Sequence, residues 1–566
     1  MHMLRMHMLR KQNLTGGLYM SRKLICLVLA VCMVLGLALT GCKSGDSKTT
    51  TAAASSAAAS SAAASSAAAS SAADTSAVTP AGEWDTGSIV VEPLGIDLEG
   101  ADIEFICNMG LNDARTAVWA KAEQYIKTIY NGDVKLTLVD GAEYDSKIKT
   151  TFAAGMGADM LWTSYTNAFT ELVADEALLP LDDYTQYMPK AFSDAPKEMY
   201  GAVTIGGKIY AIIPFKHLVE NNSCLYDKTQ TDAAGVDLNG WVRWTDNNEN
   251  FYKLREWVDS QDESRHDIPI STFYDNFSRE AVLEVIGSRA TCISCNYAGV
   301  ESVAGYKPYT DLFVPYQTPE FNAFIKEMNQ LVIDRIIPYD RSNYDKDSIY
   351  RNEGKQIVWS SQGYVFAPDS IVNYPCTLAK QAVSISYSGY TCGSLNSVNA
   401  QTEYPEASCK LIEILASDKY LGTIMRFGEE GVHWTLTENG QADCTIGLDT
   451  KIKNWYGIQM GDITNCVLPT DVEPTFHEAL AEMNANAIFS ENLGFNVDST
   501  PVAAEVAAVN ATYSEYISGT NILSGMLTDE ETDARIKEFN DKLKGNGIDK
   551  ILTEYQTQLD AWRAAK

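Results

Sequence analysis

The sequence predicts an α/β body of two lobes that follows an export signal and a low-complexity segment. Three observations support this prediction. The apolar run from Leu24 to Leu39 has the composition of an export signal. Residues 43–80 contain almost no large apolar side chain and cannot form a core. Residues 82–566 have an ordinary globular composition, and their number is large for one core and suits two lobes.

The export signal is the first element. Arg22-Lys23 precedes the apolar run, and Leu39-Thr40-Gly41-Cys42 closes it. This order of basic, apolar and small residues is typical of a secretory signal, and the run is shorter than the roughly 20 residues that a membrane span needs. A cysteine directly after Thr-Gly resembles the bacterial lipoprotein signal, in which the cysteine becomes the lipidated N-terminus. We therefore expect a signal peptide over residues 20–41 and lipid attachment at Cys42.

Two segments flank this signal. Residues 1–19 repeat Met-His-Met-Leu-Arg and place a polar leader before a signal that should begin near its own methionine. We interpret them as translation from a misplaced start, with Met20 as the true first residue. Residues 42–81 carry the cysteine and Ala-Ala-Ala-Ser-Ser repeats. Serine pairs and the lack of a partner face disfavour a stable helix there, so we interpret this segment as a tether.

Charge and cysteine content exclude several classes of function. The chain has 74 acidic and 44 basic residues, with a formal net charge of −30. This charge disfavours nucleic acid and anionic lipid as partners of the body and leaves a neutral solute open. Cys292-Ile-Ser-Cys295 is the one close cysteine pair. Without a second cluster at ligand spacing, buried thiols or one local disulfide are expected rather than a metal site.

The body opens with the pattern of a strand followed by a helix. Apolar residues alternate over 103–107, and they recur every three or four positions from Val118 to Ile129. Asn112 and Asp113 are the candidates to cap the start of the helix, and Gly132 is expected to stop it.

Two more strands and a helix continue the alternation. We predict a strand at 134–139, a helix through Ile148 to Gly155, and a short strand at 158–162. A β-α-β-α-β order predicts a mainly parallel sheet with covering helices, in which ligands sit beyond the carboxyl ends of the strands. The first binding candidates are therefore the loops that follow the strands, including Asn108, Asp140 and residues 162–165.

A series of motifs then carries a family resemblance. In the first half of the body they are Ala158-Asp-Met-Leu-Trp162, Leu178-Leu-Pro-Leu-Asp-Asp-Tyr184, Gly207-Lys-Ile-Tyr-Ala-Ile-Ile-Pro214 and Leu225-Tyr-Asp-Lys228. In the second half they are Asn352-Glu-Gly-Lys355, Tyr404-Pro-Glu-Ala407, Phe427-Gly-Glu-Glu-Gly-Val-His-Trp434 and Gln556-Thr-Gln-Leu-Asp-Ala-Trp562. Their order resembles the family 1 extracellular solute-binding proteins of bacterial ABC importers, in a large-bodied, sugar-associated branch.

The resemblance implies a two-lobe body like that of periplasmic binding proteins. Such a body has mainly parallel sheets, several crossings between the lobes and a helical C-terminal region. By similarity, the first crossing lies at 209–215 and the second near 384–390. The first lobe would comprise residues 82–215 and 384–428, and the second lobe residues 216–383 and 429–566. One solute would bind in the cleft and favour closure.

A sugar-binding cleft needs particular side chains. A sugar presents apolar C–H faces and a rim of hydroxyl groups, so its site needs aromatic platforms and a few fixed donors and acceptors. Trp162 and Trp434 are the leading candidates for stacking, although each tryptophan could equally pack in a core. The residues predicted to bind the ligand are Asn108, Trp162, Ser164, Tyr165, Lys216, His217, Tyr274, Trp359, Tyr364 and Trp434.

Two acidic segments are not expected to bind a metal. Glu429, Glu430 and His433 lack the His-Glu-x-x-His spacing, and their expected role is to shape a loop beside the cleft. Residues 259–267 occupy the place of a calcium loop in some relatives of this branch. They lack the turn glycine and the regular alternation of oxygen ligands, so calcium is not expected there.

The sequence thus predicts a monomeric, lipid-anchored receptor at the outer face of a bacterial cytoplasmic membrane. It would capture a carbohydrate, which we expect to be an oligosaccharide. It would then deliver this ligand to the transmembrane permease subunits of an ABC importer. No enzyme activity and no cofactor are expected. A surface glycoside hydrolase and an adhesin-like lipoprotein are the alternatives. A hydrolase needs two carboxyl groups roughly 5 to 9.5 Å apart, and the sequence shows no catalytic signature for it.

Overall fold

The computed structural model describes residues 82–109, 112–153, 157–164, 168–219, 222–261, 268–270, 277–287, 293–300, 302–337, 356–362, 377–379, 383–450, 452, 460–470, 474–518, 522, 525 and 527–566. The described residues all belong to one compact unit, Ser76–Lys566. The predicted leader, signal, lipidated cysteine and tether lie outside the described residues, as does most of the stretch discussed for calcium.

The described strands are short, and most have two to five residues. In chain order they are β1 (Asp102–Asn108), β2 (Asp133–Val139), β3 (Met160–Thr163), β4 (Thr204–Ile205), β5 (Lys208–Ile209), β6 (Asn222–Tyr226), β7 (Ile268–Ile270), β8 (Leu283–Ile286), β9 (Ile293–Asn296), β10 (Gln356–Gln362), β11 (Thr377–Ala379), β12 (Ile385–Ser386), β13 (Leu395–Val398), β14 (Thr435–Leu436), β15 (Ala442–Asp443) and β16 (Ile488–Phe489).

The described α-helices cover the sheets and form the C-terminal region. They are α1 (Asp113–Tyr130), α2 (Gly141–Ala153), α3 (Phe169–Ala174), α4 (Pro189–Ser193), α5 (Lys228–Ala234), α6 (Asn248–Gln261), α7 (Phe277–Glu280), α8 (Pro319–Ile333), α9 (Ser388–Thr391), α10 (Pro405–Ser417), α11 (Lys419–Phe427), α12 (Phe476–Ala485), α13 (Ala503–Tyr513), α14 (Asp529–Gly545) and α15 (Ile548–Ala565).

The first sheet confirms the predicted β-α-β-α-β order. Its strand order is β13-β3-β1-β2. Strand β1 pairs in parallel with β2 and β3, and β13 joins β3 in antiparallel orientation. Helices α1 and α2 are the connections between the three parallel strands. The three carboxyl ends therefore lie at one edge of this sheet.

Helix α1 begins as predicted and stops differently. The Asn112 Oδ1 accepts a hydrogen bond from the Arg115 N–H at 2.8 Å, which caps the helix. At the other end Asn131, not Gly132, takes the left-handed conformation, with a φ of 52°. Asparagine tolerates this conformation. Gly132 instead makes room for Leu98, since a Cβ at this position would lie 2.4 Å from the Leu98 Cδ1.

The second sheet is mixed. Its order is β11-β6-β10-β7, and β10 with β7 is its one parallel pairing among the described strands. Strand β6 is antiparallel to both β10 and β11. The chain enters this lobe through β6 and heads back through β11, so these two neighbours run in opposite directions. The predicted, mainly parallel pairing is therefore found in the first sheet, whereas the second sheet is mixed.

Three segments connect the lobes. The first follows Ile212, which pairs with Asn396 of β13 through two backbone hydrogen bonds of 2.9 Å. The second and third contain β12 and β16, which lie side by side as a parallel pair. The resemblance implied two crossings, at 209–215 and 384–390, and these bounds stay predictions. Leu218 and Val219 still pack in the first core, and β16 marks a further connecting segment.

Two large apolar cores define the lobes. The first takes buried residues from 89–219 and 392–493, and the second takes them from 224–358 and 495–559. Trp434 and Met460 belong to the first core. A Cβ on Gly461 would lie 2.2 Å from the Leu415 carbonyl oxygen, and this close approach seats the segment on α10. The predicted return to the second lobe at residue 429 does not match these cores, because buried residues up to Leu493 pack in the first core and Phe495 is the next to pack in the second.

Two general features complete the description. Within the described part of the chain, no helix has both the length and the apolar character needed to cross a bilayer. The cysteines 107, 224, 295, 392, 409, 444 and 466 are buried and free. Cys292, the close neighbour of Cys295 in sequence, lies outside the described residues.

Candidate functional site

Polar residues gather at the carboxyl edge of the first sheet. Asn108 is the last residue of β1, and Asp140 and Ser164 directly follow β2 and β3. Strand β13 runs antiparallel to β3 and its first residue pairs with Thr163, so Ser394 lies at the same edge. Topology alone thus brings four polar residues to one side of the sheet.

The first crossing adds two more residues to this edge. The segment through Ile212 is antiparallel to β13 and hence runs in the same direction as β3. Lys216 and His217 follow Ile212 and leave the sheet at its carboxyl edge. We call this set of polar residues the rim: Asn108, Asp140, Ser164, Lys216, His217 and Ser394.

Lys216 and His217 are buried, with 6% and 8% of their surface exposed. Among the described residues, no carboxylate pairs with the Lys216 ammonium group. Burial lowers the pKa of Lys216 to about 7. Burial and the neighbouring Lys216 lower the pKa of His217 to about 3, so this imidazole is neutral at physiological pH. Within the described residues, the rim therefore holds two buried donors, a lysine without a carboxylate partner and a neutral histidine.

Asn484 of α12 fixes the backbone of this crossing. Its Nδ2 donates to the Lys216 carbonyl oxygen at 2.7 Å, and its Oδ1 accepts from the Leu218 N–H at 2.9 Å. The side chain is 1% exposed and replaces the strand partner that this part of the chain lacks. The orientation of Lys216 thus depends on a residue 268 positions away.

Asn108 and Ser164 hold different positions in the rim. Asn108 is half-buried at the end of β1, and its Oδ1 would lie 3.2 Å from a Cβ on Gly141, the first residue of α2. Ser164 is buried directly after β3, and its backbone pairs with Ala168. Residues 165–167, which include Tyr165 and follow Ser164 in the chain, lie outside the described residues.

Trp162 lies beneath the rim, which corrects its predicted role as a stacking platform. The indole is 6% exposed and packs in the first core. Its Nε1 donates to the Ser394 Oγ at 2.6 Å, and its ring meets Tyr144 edge to face at 5.6 Å. The Tyr144 hydroxyl donates to the Trp162 carbonyl oxygen at 2.5 Å. Trp162 therefore orients Ser394 and supports the rim from below.

Trp434 is also a core residue, and its predicted role in stacking is wrong. It is fully buried, and its Nε1 donates to the Gly428 carbonyl oxygen at 3.0 Å. A ring enclosed on every side by the first lobe has no face to offer a sugar. The apolar area of the indole stabilises the loop around it instead.

The charged residues beside Trp434 shape that loop. The His433 Nδ1 accepts from the Glu429 N–H at 3.0 Å, and Glu429 pairs with Lys121 of α1. Glu430 accepts a hydrogen bond from the Ser88 N–H at 2.9 Å and so holds the segment that enters the body. No cluster of metal-ligating residues is found in the described chain. These contacts match the expected loop-shaping role.

The candidates from the second lobe stay predictions. Tyr274 and Tyr364 lie outside the described residues. Trp359 lies in β10, where it is paired with Leu225 of β6. Sequence reasoning missed Ser394 and Asn484, because neither belongs to a motif and both act through contacts with distant residues.

Comparison with known proteins adds two findings on families. Residues 491–564, which include α13, α14 and α15, match a family described as a domain of unknown function, DUF3502. No curated protein matches the chain.

Solved structures are similar over most of the body. The N-glycan transport solute binding protein NgtS from Streptococcus pneumoniae is 17% identical over 82% of this chain and 98% of its own, with a TM-score of 0.67. Its complex with Man5GlcNAc gives a TM-score of 0.58 at 17% identity, over 82% of this chain and 99% of its own. An HMO binding, ABC-transporter associated solute binding protein from Bifidobacterium longum infantis is 14% identical. The match covers 82% of this chain and 99% of that protein, with a TM-score of 0.52. The chain therefore has the fold of the extracellular solute-binding proteins of ABC importers, which confirms the fold that the sequence resemblance implied.

Proposed function

We propose that this protein is a receptor that binds an oligosaccharide between its two lobes and delivers it to an ABC permease. The observation that carries the proposal is the shared fold, which extends over 82% of the chain to a protein solved with Man1GlcNAc and Man5GlcNAc. The rim suits such a ligand because its amide, hydroxyl and amine groups can exchange hydrogen bonds with sugar hydroxyls.

A receptor fits the rim better than a hydrolase does. Asp140 is the one carboxylate among the described rim residues, whereas glycoside hydrolysis takes a pair of carboxyl groups on either side of the bond. Binding at the rim and at the facing lobe together favours the closed state, because both sets of contacts exist only there. Closure on the ligand is the signal that a transport receptor gives to its permease.

Calorimetric titration with a glycan panel tests the proposal. The panel contains Man5GlcNAc, maltoheptaose and lacto-N-tetraose, and each incubation is also analysed for cleaved products. We expect saturable binding of at least one glycan without any cleavage. Release of smaller sugars would point to the hydrolase, and the absence of binding to all three would contradict the proposed ligand class.

Lys216→Met should weaken glycan binding tenfold or more, because a hydrogen bond from a charged donor contributes about 1.5–3 kcal/mol. The ligand-free variant should be at least as stable as the wild type, since the change removes a buried ammonium that lacks a carboxylate partner. Titration and thermal melting measure the two effects. Lys228→Met is the matched control, because Lys228 is exposed and pairs with Asp232 within α5. Equal affinity of the Lys216 variant and the wild type would remove Lys216 from the site.

The proposal includes a lipid anchor at Cys42. Cys42→Ser should yield protein that carries no lipid and is either released or left unprocessed, because a hydroxyl cannot form the thioether. Labelling with a radioactive fatty acid, followed by separation of membranes, measures this. Cys32→Ser, inside the apolar run, is the control and should be labelled like the wild type. A Cys42 variant that is labelled and stays with the membrane would refute the anchor.

A further inference from the structure

A large cavity lies where the first lobe meets the crossing segments. Its volume is about 1130 Å³, which is ample for a small molecule. One wall is formed by α4 and the residues that follow it, and the other by α12. Phe215 of the first crossing and Phe489 of β16 also line it, and no rim residue does.

Four aromatic side chains are among the residues that line the cavity. Phe192 and Tyr200 lie 4.7 Å apart between ring centroids, tilted by 45°, and Phe215 and Phe489 complete the set. Ala481 on α12 leaves space opposite them. Faces of aromatic rings attract cations through the ring quadrupole, and they also accept apolar groups.

The polar part of the cavity carries an excess of negative charge. The Lys190 Nζ lies 2.6 Å from the Asp194 Oδ2 and 2.6 Å from the Asp462 Oδ2, so one ammonium serves two carboxylates. The Asp462 Oδ1 accepts from the N–H and hydroxyl of Thr464, at 2.7 and 2.6 Å. Among the described residues, no donor contacts the other oxygen of Asp194, its Oδ1. Lys197 and Glu198 also line the cavity, and because their charges are opposite they add no net charge to it.

The Asp194 carboxylate shares its cationic contact, the Lys190 Nζ, with Asp462. Its carboxyl group is half-enclosed beside Asp462, and burial raises its pKa to about 6 despite the contact with Lys190. A positive group near the Asp194 Oδ1 would offset the second negative charge. An anion would meet net repulsion, and a neutral sugar would leave this charge unbalanced.

We propose that this cavity binds a small organic cation, an amine or quaternary ammonium compound with an apolar body. The cationic group would lie by the Asp194 Oδ1, and the apolar body would contact Tyr200 and the neighbouring rings. Such a ligand would touch two of the three segments that connect the lobes, through Phe215 and Phe489. The proposal for this site does not rest on the glycan receptor function.

Titration of the purified protein with choline and with benzyltrimethylammonium tests the proposal, in the absence of any glycan. We expect saturable binding of at least one of them. The neutral isostere of choline, 3,3-dimethylbutan-1-ol, should bind at least tenfold more weakly than choline wherever choline binds. Failure of both cations to saturate, or equal binding of the isostere, would overturn the proposal.

Variants then locate the site. Asp194→Asn and Tyr200→Leu should each weaken binding of the better cation tenfold or more, whereas Asp183→Asn, an exposed lobe-1 carboxylate outside the cavity, should leave it unchanged. Thermal melting identifies a variant that fails to fold, in which case the other variant decides. If folded Asp194→Asn and Tyr200→Leu bind as the wild type does, the cation binds elsewhere and the assignment is wrong.

Discussion

Replacing Trp434 by alanine should lower the free energy of unfolding by about 3–5 kcal/mol, the usual cost of removing a large ring from a core. The indole is fully buried, and its one donor is satisfied by the Gly428 carbonyl oxygen. Glycan affinity of the protein that remains folded should change less than twofold, because the ring offers no face to the cleft. Chemical denaturation and titration measure the two effects.

Val432→Ala is the matched control for this experiment. Val432 lies two positions before Trp434 in the same loop, yet 59% of its surface is exposed, so its loss should hardly alter stability. A Trp434→Ala protein that unfolds like the wild type and no longer binds glycan would restore the tryptophan as a stacking platform. It would also mean that the loop packs differently from the arrangement described above.

The second large effect concerns Glu284, a buried carboxyl group of β8. It is 2% exposed, and its Oε2 accepts hydrogen bonds from the Ser490 Oγ at 2.7 Å, the Asn492 Nδ2 at 3.3 Å and the Cys295 Sγ at 3.4 Å. Arg563 lowers the pKa of Glu284 electrostatically, and its guanidinium group donates to the Asn492 Oδ1 at 2.8 Å. Burial outweighs these contacts and raises the pKa of Glu284 from 4.5 to about 7.

The sign of the pH effect follows from this raised pKa. The folded protein favours the neutral acid, so the stabilising contribution is complete below the ordinary pKa of 4.5 and is lost as the pH rises through about 7. A shift of this size corresponds to about 3 kcal/mol. Between pH 4.5 and pH 8 the wild type should therefore lose about 3 kcal/mol of unfolding free energy relative to Glu284→Gln.

Chemical denaturation at a series of pH values measures this difference. Glu530→Gln removes a carboxyl group from the exposed first turn of α14 and controls for the loss of one charge from an acidic chain. If the wild type and Glu284→Gln keep a constant difference in stability across the range, the carboxyl group does not titrate between these limits, and the proposed burial cost is absent.

Local patterns predicted the parts of the fold that depend on neighbours in sequence. The strand over 103–107 and the cap at Asn112 follow from periodicity and side-chain chemistry, and both are present. The polar edge of the first sheet was predictable for a similar reason, because parallel strands must end on one side. The place of Asn108 and Ser164 at this edge was therefore predictable, and their role in binding stays a prediction.

The remaining features depend on contacts that sequence distance conceals. Nothing in the motif around Trp434 tells whether its ring faces a cleft or a core, and the same holds for Trp162. The lobe to which residues 429–487 belong is decided by contacts such as that of Gly461 with Leu415. Asn484 acts on a segment 268 positions away, so no local pattern could reveal it.

The pairing of β12 with β16 restricts how the two lobes can move. The Ile488 N–H donates to the Ser384 carbonyl oxygen at 2.8 Å, and the Ser490 N–H donates to that of Ser386 at 2.9 Å. Two connecting segments tied in this way must change their backbone torsions together, while Asn484 keeps the first crossing on the lobe-1 side. Twisting and sliding would break these bonds, whereas bending would not. Bending about this pair is therefore the motion of the lobes that would leave these hydrogen bonds intact.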